Sequence, residues 1–162
     1  MNKKVLSTEW EVISSISDLS PTDQNLLSAA KEAVESAYAP YSQFSVGAAL
    51  LLEDGTIIKG NNQENAAYPS GLCAERVAFF WAGANHPGKK IVSVAITAKS
   101  DVVKTDHPIT PCGACRQSML EYELNQKSDI TILMQGTSGM IYKMIGVKQL
   151  LPLYFNEDGL RH

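Results

Sequence analysis

Cysteine and histidine are scarce in this chain: 162 residues hold three of each. The cysteines are Cys73, Cys112 and Cys115, and an odd number cannot all pair within one chain. A framework that pairs all of them is therefore excluded, and the C-x-x-C that two of them form reads as metal binding or redox chemistry. There is no apolar run of the roughly 18 residues that a membrane-spanning helix needs. Lys3 and Lys4 resemble the start of a signal peptide, but Glu9, Glu11 and Asp18 interrupt the stretch after them, so no apolar leader region forms. A cytoplasmic protein is expected. A basic excess is also missing: 14 Lys and Arg stand against 17 Asp and Glu, a net charge of -3. That balance carries no electrostatic footprint for nucleic acid and points to small-molecule partners, with neither nucleic acid nor membrane among them. Internal repeats and low-complexity linkers are absent too.

What is present fits one compact domain. Hydrophobic residues make up 44% of the chain, enough for a core without staples. Residues 1–19 have weak patterning, with Trp10, Val12, Ile13 and Ile16 as apolar anchors, and read as an N-terminal arm ahead of the main domain over 20–162. Ser20 followed by Pro21 is a helix start, and Leu26, Leu27, Ala30, Ala33, Val34 and Ala37 recur at helical spacing. Pro40 turns Ala39 away from helix. Phe44 to Leu52 reads as a strand, Asp54-Gly55 as a hairpin turn and Thr56 to Gly60 as the returning strand. A polar loop over 61–71 leads to a helix over Leu72 to Ala84. Ile91 to Ala98 reads as a central strand and Cys112 to Leu124 as another helix. Ile130 to Met134 and Met140 to Met144 read as strands, and Gly146 to Leu151 as a short helix. The alternation predicts an α/β fold, a three-layer α/β/α domain on a mixed sheet of about five strands.

The chemistry is concentrated in Cys73-Ala74-Glu75-Arg76 and in Pro111-Cys112-Gly113-Ala114-Cys115-Arg116-Gln117. A ligand two residues before a glutamate, with a distant P-C-x-x-C, is the signature of zinc-dependent deaminases. The residue types suit the chemistry. A catalytic zinc keeps three protein ligands and one open position, and three cysteines meet that count. Cys73 and Cys112 each stand at a predicted helix start, where the helix dipole favours thiolate. Near a helix start, residues at i and i+2 both reach one metal, so Glu75 can take a proton from the zinc-activated water and pass it on to a substrate. Three thiolates carry one negative charge more than the ion cancels, and Arg76 is placed to withdraw it through a cysteine sulfur. A lone C-x-x-C is also compatible with redox chemistry, but that leaves Cys73 and Glu75 without a role. A structural zinc site needs four ligands.

The chain resembles the cytidine deaminase family in its small-subunit form, from about Leu26 to about Leu153. The resemblance rests on the segment from Ala39-Pro40-Tyr41-Ser42 to Leu50, on Asn62-Gln63-Glu64-Asn65-Ala66, on the two cysteine motifs and on Leu150-Leu151-Pro152. It implies hydrolytic deamination of cytidine and deoxycytidine to the uridine forms, in pyrimidine salvage, with one zinc per chain. Cys73, Cys112 and Cys115 match the zinc ligands, and Glu75 the general acid and base. Asn62 and Glu64 match the residues that hold the ribose and the base. Phe44 matches an aromatic lining the nucleoside pocket, and Ala74 a backbone contact to cytosine. It also implies a homotetramer whose sites borrow residues across interfaces, with Phe155 as a candidate donor. Taken alone, Phe44 reads equally as core, and Asn62 and Glu64 as solvated turn residues. Tyr68, Phe80 and Trp81 read as packing, and His86, His107 and His162 as surface or loop residues. Two alternatives stay open: a deaminase of the same fold acting on a nucleoside antibiotic or free base, and a non-catalytic zinc module.

Overall fold

A computed structural model describes residues 1–156; His162 lies outside the described residues. Six strands form one mixed sheet in the order β1-β6-β5-β4-β2-β3. They are β1 (Glu11–Ile13), β2 (Phe44–Leu52), β3 (Ile57–Asn61), β4 (Ile91–Ser100), β5 (Thr131–Met134) and β6 (Ile141–Ile145). The helices are α1 (Pro21–Val34), α2 (Ala74–Asn85) and α3 (Gly113–Gln126). Only the β4–β5 pairing is parallel, and α3 supplies the crossover that parallel strands require.

Side-chain alternation along the strands divides the core in two. Ala49, Ala95, Leu133 and Ile141 face Leu26, Leu27 and Ala30 of α1. Leu50, Val94, Ile96 and Ile132 face Phe79 of α2 and Met119 and Leu120 of α3. Helices thus cover both faces, giving the expected three layers. The central strands are apolar on both sides for that reason. Burial of each large aliphatic side chain contributes about 1.5–3 kcal/mol.

Local signals set the element ends. Ser20 Oγ accepts from the Asp23 N–H at 3.1 Å and caps α1, with Pro21 behind it. Gly55 turns the β2–β3 hairpin at φ 86°. Gly60 of β3 lies under α2: a Cβ there would stand 2.7 Å from the Ala74 carbonyl oxygen and from the Ala78 nitrogen. Only glycine lets the first turn of α2, which carries the cysteine–glutamate motif, sit this close to the sheet.

The sheet has six strands where about five were expected. The additional one is β1, which pairs antiparallel with β6 through Glu11–Lys143, Val12–Tyr142 and Ile13–Ile141. Three residues carry too little alternation to be read as a strand. Their conformation comes from the β6 edge, which supplies the hydrogen-bond partners. Thr8 Oγ1 donates to the Gln149 carbonyl at 2.7 Å, and Trp10 packs on Tyr142 with ring centroids 5.9 Å apart. Tyr68, Phe80 and Trp81, read as packing residues, are all exposed. Phe80 and Trp81 sit on the outer face of α2, while Phe79 and Ala82 take its inner face. Among the described residues no helix is long and apolar enough to cross a membrane.

Candidate active site

Two helix starts meet at one point. Cys73 is the N-cap residue of α2 and Cys112 that of α3, and neither side chain caps its own helix. Both sulfurs point at each other instead, 3.9 Å apart. Cys115, one turn into α3 and fully buried, completes a cluster in which all ligand atoms lie within 4.8 Å of one another. Three thiolates on a tetrahedral zinc with bonds of roughly 2.3 Å stand roughly 3.8 Å apart. The donor set and its spacing therefore fit zinc, with three protein ligands and a fourth position left for water or substrate.

The cluster is electrostatically uneven. Hydrogen bonding with Cys115, helped by Arg76 and Cys112, holds the Cys73 thiol down at about 5 despite burial. Cys115 moves the other way, chiefly through the same hydrogen bond and then burial. One proton between two sulfurs explains both directions: Cys73 ionises first and Cys115 keeps it. Arg76 Nη2 donates to Cys73 Sγ at 3.9 Å. Burial works against its guanidinium, but that bond and the charges on Cys73 and Cys115 outweigh it and keep Arg76 charged. Among the described residues its Nε is buried without a partner.

Glu75 lies in the first turn of α2 and is only 4% exposed. Burial, with the Cys73 charge adding to it, raises its carboxyl above the usual carboxylate range. Ala74 beside it is fully buried.

A cleft of about 550 Å³ opens over Cys73 and Arg76. Asn62, Glu64, Tyr41, Ser42 and Tyr68 line it further out. Asn62 pins the start of β2: its Oδ1 accepts from the Val46 N–H at 2.7 Å and its Nδ2 donates to the Phe44 carbonyl at 2.9 Å. An amide bonded in this way keeps one N–H and one lone pair for a ligand. Glu64 Oε2 accepts from the backbone N–H groups of Tyr41 and Ser42, at 2.9 and 3.2 Å. A hydrogen bond from the Ser42 side chain leads the causes that hold Glu64 below its ordinary value and keep it ionised. Gln63 and Leu72 exchange backbone hydrogen bonds at 2.9 Å, which ties this loop to the residue before Cys73.

Of the sequence-derived residues, Asn62, Glu64, Cys73 and Arg76 line one cleft, with Ala74 and Glu75 buried in the turn that begins at Cys73. Phe44 is half-buried at the start of β2 and is not among the cleft residues. Phe155 is 68% exposed, its carbonyl accepting from Gln117 Nε2 at 3.1 Å, and it does not reach this chain's cleft. Sequence reasoning gave Tyr41 and Ser42 no site role, although they stand inside one of the family motifs, and read Tyr68 as packing. Their place at the cleft comes from the Tyr38–Asn62 and Tyr38–Glu64 backbone bonds, which residue types do not announce. His86 packs on Trp81 and His107 stands near Asp106, both away from the sulfurs in loops or helix ends.

The profile described as "Cytidine and deoxycytidylate deaminase zinc-binding region" matches residues 20–128, which include all three cysteines and Glu75. This chain belongs to the cytidine deaminase family. A cytidine deaminase of Halalkalibacterium halodurans is 41% identical over 137 residues, 85% of this chain and 96% of the relative. One from Sporosarcina psychrophila is 40% identical over 142 residues, 86% and 95% of the two chains. The crystal structure of cytidine deaminase from Burkholderia pseudomallei superposes with a TM-score of 0.70 at 39% identity, covering 81% of this chain and 97% of the other. With relatives matched over nearly their whole length, this cytidine deaminase family member is an enzyme on the cytidine deaminase fold.

Proposed function

We propose that this chain hydrolyses cytidine and deoxycytidine to uridine and deoxyuridine with release of ammonia, using one zinc ion per chain. The observation that carries the reading is a buried carboxyl, Glu75, beside three convergent cysteines, at the foot of a cleft edged by Asn62 and Glu64. A non-catalytic zinc module gives no use to a carboxyl kept out of water, and a redox dithiol none to a third cysteine. Zinc bound to Cys73, Cys112 and Cys115 would supply an activated water for attack at C4 of the pyrimidine. Glu75 accepts one proton from the attacking water and passes it to the ring nitrogen, then accepts the proton of the hydroxyl now on C4 and passes it to the amine, so that the C–N bond breaks, ammonia leaves and a carbonyl remains. The Ala74 backbone orients the base. Asn62 and Glu64 hold the ribose hydroxyls, the ionised carboxylate as acceptor and the amide with its remaining N–H. Phe44 packs at the base end of the pocket.

The cleft also supports a nucleoside in preference to a nucleotide. Its charged lining residues are Glu64 and Arg76, and Arg76 is committed to Cys73. Among the described residues a phosphate would find no uncommitted cation there, and it would meet the Glu64 carboxylate. The exposed Phe80, Trp81 and Phe155 support association of the chain with itself, as a homotetramer in which Phe155 reaches a neighbouring site. Cytoplasmic pyrimidine salvage is the setting in which such a reaction serves.

Cytidine turnover by the purified protein, followed by the loss of cytidine ultraviolet absorbance and by ammonia release, tests the reading when zinc is determined on the same sample. Deamination of cytidine and deoxycytidine with about one zinc per chain, and much weaker use of deoxycytidylate, is the expected result. Zinc-loaded protein without turnover would overturn it.

Arg76→Gln tests the role of the arginine. The guanidinium withdraws charge from Cys73 and keeps three thiolates from over-neutralising the metal, so its loss is expected to lower kcat or zinc retention by about 10–100-fold. Unchanged kinetics and zinc content would remove that role.

A further inference from the structure

Cys112 has the least support of the three cysteines. Cys115 is fully buried, and Cys73 is half-buried behind the Gln63–Leu72 bridge. Cys112 is exposed, comes directly after a loop, and makes no side-chain bond to its own helix. Yet a metal ligand must be held in place before the metal arrives. The contacts that do this converge on Arg116.

Three bonds from this one residue reach across the motif. The Arg116 backbone N–H donates to the Cys112 carbonyl at 2.9 Å, as the first bond of α3. Its Nε donates to the Pro111 carbonyl at 2.8 Å. Its Nη1 donates to the Leu150 carbonyl at 2.9 Å. The Pro111 ring fixes φ, so ψ is the one soft dihedral ahead of the Pro111–Cys112 peptide. Holding the Pro111 carbonyl holds that ψ. The peptide planes on both sides of Cys112 are then bonded to Arg116, which leaves the cysteine only its side-chain rotation.

The far end of the strut is anchored as well. Leu150 closes a 3-10 turn, Val147–Leu150, whose first N–H groups donate to the buried carboxylate of Glu123: Val147 at 2.7 Å and Lys148 at 3.2 Å. Glu123 also accepts from the Ile130 N–H at 2.9 Å. Glu123 lies two helical turns beyond Arg116 on α3, so the turn is gripped twice by the same helix. A planar guanidinium can donate to two separate carbonyls at once in a set geometry. A lysine has three donors on one compact, flexibly held ammonium and lacks that fixed planar fork.

We propose that Arg116 is a positioning residue for the metal site: its side chain locks the Pro111–Cys112 peptide against the Val147–Leu150 turn and so aims the Cys112 sulfur at the zinc. This rests on the zinc reading above. A purely structural role, stapling the turn to α3, is the competing account, and Glu123 provides the comparison because it grips the same turn away from the cysteines.

The test measures zinc release to a chelator, the thiolate-to-cobalt absorption of cobalt-substituted protein, and thermal unfolding, for the wild type, Arg116→Gln, Arg116→Lys and Glu123→Gln. The two Arg116 variants are expected to release zinc about 10–100-fold faster, with an altered cobalt band. Glu123→Gln is expected to unfold at lower temperature yet release zinc at the wild-type rate. If Arg116→Gln does not fold, the milder Arg116→Lys, which keeps the charge and N–H donors but loses the planar fork, decides. Wild-type release rates and an unaltered cobalt band in the Arg116 variants would overturn this proposal alone. So would equally fast release from Glu123→Gln. A wild-type chain that binds no zinc would overturn the zinc reading and this proposal with it.

Discussion

Replacing Glu75 with Gln is expected to lower kcat for cytidine by at least about 10²- to 10⁴-fold, with zinc content unchanged. Glutamine keeps the shape of the side chain and fits the same buried position in the first turn of α2. It cannot accept a proton, so the relay to the ring nitrogen and the leaving amine is lost while the metal ligands remain. KM should change far less than kcat, because Asn62 and Glu64 are untouched. The electrostatics supply a second readout. The Glu75 carboxyl is raised from 4.5 by burial and then by the Cys73 charge. The folded state thus binds this proton more tightly than the unfolded chain does. The group's contribution is favourable below the unfolded carboxylate range and is lost as pH rises through the raised folded value. At neutral pH, where the unfolded chain has released this proton, burying Glu75 costs stability in zinc-free protein. Zinc-free Glu75→Gln should therefore melt at higher temperature than zinc-free wild type at pH 7, and the difference should shrink in acid. Near-wild-type turnover by the variant would sink the assignment of Glu75.

Replacing Cys115 with Ala is expected to abolish zinc retention and turnover together. Two thiolates cannot hold a site built for three, and the exposed Cys112 offers little to compensate. Activity should fall by more than about 10³-fold, since the activated water is lost with the metal. The change removes one buried sulfur and leaves the α3 backbone intact, so circular dichroism should remain that of the folded chain. Because thiolates must be deprotonated to bind, zinc retention by the wild type should weaken as pH falls. In the metal-free cluster Cys73, held near 5, would keep its charge to lower pH than Cys115, whose thiol is pushed up. A Cys115→Ala protein that keeps about one zinc and normal turnover would show that this cysteine is not a ligand.

Much of the chemistry was legible because it is written in short motifs. Cys73-x-Glu75 and Pro111-Cys112-x-x-Cys115 each place reactive groups at a helix start, which local sequence signals. The bounds of β2, Phe44–Leu52, were readable for a similar reason: Gly55 turns the chain and a continuous apolar run precedes it. The outward position of Phe80 and Trp81 was not. An alanine-rich helix with three adjacent aromatics has no clear inner face until the sheet selects Phe79 and Ala82.

The sequence by itself determined the three-cysteine set, the glutamate two residues after Cys73, the layered class and the start of α1, because each is written in residue types and spacings within short stretches of chain. The tertiary structure alone decided the rest. It brought Cys73 to 3.9 Å from Cys112 across 39 positions, took Glu75 out of water, and used the Glu64 carboxylate to hold Tyr41 and Ser42. It also made Glu11–Ile13 a sixth strand and joined Arg116 to the Leu150 carbonyl 34 positions away. These are backbone partners and burial, and both are set by which elements pack together, a property of no single stretch of residues.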